Sequence, residues 1–315
     1  MFFVDPSCLR SLAPVALSLL LAASAPAADP VWNAFAGQEN LRIRGVSGVV
    51  AGRDIWFSVT RDQRKISNGT VKAEPDTSLS LPVRIPEMKP GIALALDLTL
   101  RAGSDQGRVL RSGTLWAFAE RPFEPKQNPA APRSILLYDP EGKTEPALRS
   151  IELPFETITR LDPLADRTNA VIVVGEGVSL EGERGLGQAL ADAVAHGNHV
   201  LLLAPKSGQL HLPPGWDSLV AGGAQEVLRH GTISGLPYKL DLAAWPPDGK
   251  AVTALFQLAG FRDDAVFNVT PDTGSVAIGW DTASGGRFRA CGLAIIAKWN
   301  ETPAARWLLA EMLSR

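Results

Sequence analysis

Two carboxylates stand out for their positions. Asp139 directly follows the apolar run Ile135-Leu136-Leu137-Tyr138, and Glu176 follows Ala170 to Gly175, AVIVVG. Each run has the length and composition of a buried strand, so each carboxylate is expected just beyond a strand's carboxyl end. A carboxylate pair about 5 to 9 Å apart can supply the acid and base of glycoside hydrolysis. The plainer alternative is that Asp139 starts a turn with Pro140 and that Glu176 is solvated.

Other groups carry weaker chemistry. Gly142-Lys143-Thr144 invites a phosphate-loop reading, but the first glycine of that pattern would fall on Leu137, inside the expected strand. Thr144 is therefore expected to cap a helix whose first turn holds Pro146. Ser207 lacks the Gly-x-Ser-x-Gly surroundings of a strained nucleophile elbow. His196 and His199 have no third ligand nearby, so no metal is expected, and nothing implies a cofactor. His211 and His230 stand isolated, and Cys291 sits in the apolar run FRACGLAI as an inert core thiol. Among the aromatics, Trp56 alone has a pattern that suggests exposure, since it alternates out of phase with Ile55 and Phe57. Its ring could stack on a sugar.

The elements that must position these groups divide along the chain. From 31 to 120, Ile55, Phe57 and Val59 alternate with Trp56, Ser58 and Thr60. Ile92, Leu94, Leu96, Leu98 and Leu100 do the same. Turn formers separate the runs and no helical stripe intervenes, which implies an all-β, Ig-like sandwich over 28–120. Residues 121–133, RPFEPKQNPAAPR, hold four prolines and little to bury, so they are expected to form a stiff connector. From 134 to 315 apolar runs alternate with helical patterns: strands at 134–139, 155–161, 170–175 and 199–205, and helices at 144–151 and near 184–196. Gly197 is placed to end the second of these helices, and Thr302-Pro303 to open a last one carrying Trp307, Leu308 and Leu309.

This order resembles the class I glutamine amidotransferase-like fold, a flavodoxin-like α/β sandwich. It is similar to the versions attached to secreted bacterial carbohydrate-active proteins, with LYDPEGKT (137–144), VVGEGVSL (173–180) and GRFRACGLAI (286–295) as the matching stretches. The resemblance implies a cysteine on the turn after the fourth strand. Here that turn reads Ala204-Pro205-Lys206-Ser207-Gly208, with no thiol to carry thioester chemistry. If the strand order is flavodoxin-like, a crevice at the switch point is lined by Asp139, Gly142, Gly175, Glu176, Lys206 and Ser207.

Residues 15–25, VALSLLLAASA, lie between Arg10 and Ala25-Pro26-Ala27 and read as a secretory signal over 1–27, which places the chain outside the cell or in a periplasm. As a helix the stretch would rise only about 16 Å, too short to span a bilayer. Of the two cysteines, cleavage would remove Cys8, leaving no intramolecular disulfide. A balance of 31 Lys+Arg against 33 Asp+Glu offers no charge excess for nucleic acid. The resulting expectation is an exported, non-catalytic binding or scaffolding protein linked to carbohydrate or the cell envelope. A glycan-directed hydrolase using Asp139 and Glu176, and a structural module docking on another exported protein, are the alternatives.

Overall fold

The computed structural model describes residues 31–161, 167–183, 185–206, 208–213, 216, 225–229, 236–240, 256–259, 267–269 and 275–314. The expected signal segment, Ser207 and His230 lie outside the described residues. The described chain is mostly β, with mixed sheets and three helices.

The alternating runs pair as expected of half-buried strands. β3 (Asp54–Arg61) lies between β4 (Arg64–Lys72) and β6 (Ala93–Ala102), and β6 continues to β7 (Val109–Phe118), all antiparallel. β1 (Val31–Phe35) adds to β7 in parallel and completes five strands. Ile55, Phe57, Val59, Leu96, Leu98, Leu100 and Leu115 share one face. A short pair, β2 (Leu41–Ile43) with β5 (Leu79–Leu81), covers that face, adding Ile43, Leu79 and Leu81 to the same core. Period-two alternation thus becomes a two-layer packing in which each fully buried aliphatic chain contributes about 1.5–3 kcal/mol. Ile92 departs from the expected alternation: it precedes β6 and stays 48% exposed.

The near-continuous apolar runs form the parallel centre of a seven-stranded sheet. β9 (Glu156–Ile158), β8 (Ser134–Tyr138), β10 (Ala170–Val174), β11 (His199–Leu202) and β17 (Arg287–Cys291) lie side by side in parallel. β16 (Ser275–Asp281) and β13 (Gln225–Arg229) extend the edge antiparallel. Strand β9 is shorter than the expected 155–161. Chain order reverses at β8, with β9 on one side and β10 on the other. A third sheet joins β12 (Gly208–His211), β14 (Phe256–Ala259) and β15 (Phe267–Val269).

Both faces of the parallel centre are covered, which is why its strands are apolar throughout. α2 (Leu186–Ala195) packs Leu186, Leu190 and Val194 on one face against Val174, Val200 and Leu202. It stops at Gly197, whose φ of +83° continues the chain in the left-handed conformation. α1 (Thr144–Ser150) and α3 (Pro303–Ser314) cover the other face.

α3 also reaches the five-stranded sheet. The Trp307 ring lies 4.9 Å from Phe118 and 5.1 Å from Tyr238, and its Nε1–H donates to the Ala119 carbonyl at 3.1 Å. Arg306, only 6% exposed, stacks 4.8 Å over Phe35 and donates to the carbonyls of Trp299 and Glu120 and to Asn300 Oδ1. Phe118, Phe123 and Ala130 join one apolar cluster with α1 and α3. The 121–133 segment was expected to have little to bury. Instead it contributes Phe123 and Ala130, because the face left open beside α3 needs covering.

Replacing Trp307 by Ala is expected to cost about 3–5 kcal/mol, the range for deleting a buried large aromatic. Urea unfolding at matched slope measures it. A loss below about 1 kcal/mol would show that the α3 contact with β7 is not a principal support.

Candidate functional site

The loop after β8 turns sharply. Gly142, at φ +66°, donates its N–H to the Asp139 carbonyl at 3.0 Å, and the turn carries the chain into α1. Asp139 Oδ2 accepts from the N–H groups of Thr144 at 2.7 Å and Glu145 at 2.9 Å. The cap of α1 is thus Asp139, where Thr144 was expected. Thr144 is fully buried, and its Oγ1 accepts the N–H of Glu176 at 2.8 Å. The correction has a steric cause: a carboxylate placed five residues upstream reaches the free N–H groups at the helix start, so the threonine hydroxyl can turn to the next strand. Asp139 Oδ1 is buried and finds no hydrogen-bond partner among the described residues. A Cβ on Gly175 would overlap that oxygen and stand 2.9 Å from Thr144 Oγ1, so only glycine leaves room for the carboxylate.

Glu176 is buried, against the expectation of a solvated side chain. Its Oε2 accepts from the Ile296 N–H at 2.8 Å and its Oε1 from the Ala297 N–H at 3.0 Å. Burial pushes its pKa up, while the two backbone N–H groups and the Lys143 charge hold it down. Above it, Lys206 Nζ meets Glu141 Oε1 at 2.9 Å, and Lys143 Nζ lies 3.6 Å from Glu141 Oε2. The Lys206 hydrogen bond, then its charge, lowers the pKa of Glu141. These exposed pairs contribute little stability, but they tie the loop after β8 to the one after β11.

The sheet edge therefore brings Asp139, Gly142, Gly175, Glu176 and Lys206 together. Ser207 lies outside the described residues. Trp56 sits elsewhere, half-buried on the outer face of the five-stranded sheet, with Thr70 and Arg101 as its cross-strand neighbours. Burial pushes the Cys291 thiol up to about 12, which leaves it protonated and unreactive at neutral pH. His199 is buried, and burial with the Arg133 and Arg287 charges lowers its pKa to about 4. His196 Nδ1 contacts the Asp192 carbonyl at the end of α2. Among the described residues no group of three His, Cys, Asp or Glu side chains could hold a metal ion.

A cleft of about 570 Å³ opens between the start of α2 and β12. Glu181, Glu183, Gln188, Gln209 and His211 line it, over Leu186 and Leu210. Glu183 is fixed by the Tyr138 hydroxyl, which donates to its Oε2 at 2.7 Å. Burial first, and then this bond, push the tyrosine up to about 12. A Cβ on Gly187 would overlap the His211 carbonyl oxygen, so helix and strand meet here at backbone contact. Sequence reasoning left His211 isolated and passed over the two glutamates. The available signal was Gly187, a glycine inside a helical pattern, which marks close approach of another backbone.

No family model and no curated protein matches the sequence. Among solved structures, the chain is similar to a sialyltransferase from Photobacterium damsela, at TM-score 0.22 and 9% identity, over 61% of this chain and 44% of that one. It is also similar to the Bifidobacterium dentium β-glucuronidase complexed with coumarin-3-O-glucuronide, at TM-score 0.21 and 12% identity, over 55% and 33%. The chain spans less than half the length of either, and likeness at these scores carries no argument. No helix among the described residues is long and apolar enough to cross a membrane.

Because the folded-state pKa of Glu176 is raised, its burial favours the folded state most below the ordinary value of 4.5. That contribution is lost as pH rises through the folded value. Wild-type unfolding free energy, measured by urea titration at several pH values from 4 upward, is expected to carry this falling component. Glu176→Gln is expected to lack it. The variant also leaves one of the Ile296 and Ala297 N–H groups without an acceptor, at a cost of about 1–3 kcal/mol. An identical pH profile in the two proteins would contradict the assignment.

Proposed function

We propose that this chain is an exported protein that acts by binding or scaffolding in carbohydrate or cell-envelope processes, and that it cleaves no bond of its ligand. In this reading residues 28–120 are an Ig-like sandwich, and residues 134–315 are an amidotransferase-like domain of flavodoxin-like type without its nucleophile. The lateral order β9-β8-β10-β11-β17 supports the second assignment, since in chain succession its first four parallel strands run two, one, three, four. Export rests on the signal-like residues 1–27.

The observation that carries the non-catalytic reading is the commitment of both edge carboxylates to backbone. Asp139 holds the start of α1 with one oxygen, and Glu176 holds residues 296 and 297 with both. A general acid or base must exchange its proton with substrate, and here Glu176 has both oxygens on backbone N–H donors while the one Asp139 oxygen outside the cap is buried away from solvent. This weighs against the hydrolase alternative. The cleft beside α2 weighs against a purely structural docking module, because a concave site of this size belongs to the range of small-ligand sites.

Incubation of the purified chain with a panel of envelope and environmental polysaccharides tests the proposal. Retention on at least one glycan without release of reducing ends is expected. Release that disappears in Asp139→Asn or Glu176→Gln would overturn it in favour of hydrolysis.

A further inference from the structure

The amino edge of the seven-stranded sheet carries a buried ring with a chemistry of its own. His199 opens β11 and is only 8% exposed, and its Nε2 is buried with no hydrogen-bond partner among the described residues. Three guanidiniums act on it: Arg133, just before β8, most strongly, then Arg287 and Arg289 of β17. Arg287 is its direct neighbour across the strands, and the Nε of Arg133 is itself buried without a partner. The carboxylate next along the sheet, Asp281 of β16, is committed to Arg289 at 2.6 Å, with Arg287 at 3.6 Å. On the surrounding elements, Glu156 pairs with Arg167, Glu311 of α3 accepts from the Tyr238 hydroxyl, and His196 contacts the Asp192 carbonyl.

The ring sits where this edge is clasped most closely. Asn198, fully buried, accepts the Ala170 N–H at 2.9 Å and donates to the carbonyls of Ala193 and Arg167. The turn over 282–286 closes on the end of α2: Ser284 Oγ donates to the Val194 carbonyl at 3.4 Å, and a Cβ on Gly286 would overlap that same oxygen. The Arg287 N–H then bonds the Asn198 carbonyl at 3.0 Å. Such a clasp suits a neutral ring. A proton on Nε2 would be a donor without an acceptor, and a fourth positive charge beside three, at an atom that water does not reach. Opening the edge to solvent relieves both faults at once.

We propose that His199 is an acid-sensitive latch: neutral, it lets the 282–286 turn and β17 close on α2 and β11, and protonated, it opens that amino edge. The direction follows from linkage. Burial first, then the three arginines, hold the ring's pKa down to about 4 in the closed edge, although the Gly285 backbone favours the charged form. Exposed in the open edge, the ring returns to the ordinary 6.5. Between those values opening takes up a proton, so the open population rises as pH falls, by up to about tenfold per pH unit. The Glu176 contribution weakens in the opposite direction, as pH rises, and so does not imitate this response.

Backbone amide exchange of the full chain tests the latch, read by mass spectrometry from about pH 7.5 to about pH 4.5 and corrected for intrinsic exchange. Peptides covering 196–200 and 282–289 are expected to open more as pH falls below about 6.5, while those covering β3 keep their protection. His199→Gln does not titrate and is expected to change less than about twofold over the same range. Arg133→Gln keeps the ring and removes the cation that acts on it most strongly, so its rise is expected to be severalfold smaller than that of the wild type. That second variant decides the matter if His199→Gln is already open at neutral pH. No rise in the wild type, an equal rise in His199→Gln, an undiminished rise in Arg133→Gln, or a rise shared equally by β3 would each overturn the proposal.

Discussion

A guanidinium taken out of water is tolerated only if its donors are all met, since the effective penalty for an unpaired buried ion is several kcal/mol. Arg306 is in that position. Its donors reach one carbonyl just before α3, the Asn300 side chain, and the Glu120 carbonyl at the end of the five-stranded sheet, while Phe35 and Trp299 flank its plane. The Glu120 carboxylate adds a weaker contact at 3.4 Å. None of these partners can be withdrawn without stranding the charge. The two sheets are consequently held in register by a residue that belongs to neither, and the aromatic packing of Trp307 follows from where Arg306 fixes the helix.

The same helix explains the sheet edge. α3 is preceded by the turns at 295–301, and the N–H groups of Ile296 and Ala297 would be left without acceptors at the end of the parallel strands. Glu176 satisfies both. Its own N–H is satisfied by Thr144, and Thr144 is free to do this because Asp139 caps α1. A single run of bonds thus links the loop after β8, the loop after β10 and the approach to α3. Each carboxylate in that run accepts backbone N–H groups, and both lie at the carboxyl edge of the parallel strands.

Much of this was legible in the residues, and the limit is physical. Buried parallel strands need apolar side chains on both faces, so ILLY, AVIVV and VLLL announced themselves. Gly197 and Thr302-Pro303 marked helix ends because backbone conformation there restricts residue type. What escaped was every feature decided by a partner remote in sequence. Glu176 looked solvated because its acceptors' donors lie 120 and 121 residues away. Residues 121–133 looked like a bare connector because nothing local says that Phe123 and Ala130 have an apolar cluster to join. Of the candidate residues, Asp139, Gly142, Gly175, Glu176 and Lys206 do share one edge, as the strand pattern implied. Trp56 faces away from Ile55 and Phe57 but is half-buried where exposure was expected, and its face is unrelated to that edge.

The cleft was invisible for a related reason. Its two walls are α2 and β12, and β12 is held by a parallel pairing of Gly208–His211 with Phe256–Ala259, a crossover that no local periodicity records. A glycine at 187 is the one place where that distant pairing touches composition, since any larger residue would drive helix and strand apart and open the cleft. The polar side chains around it lie outside the apolar cluster and so leave no alternation to read. Glu183 is held by the Tyr138 hydroxyl, a partner 45 residues away that nothing in the local sequence announces.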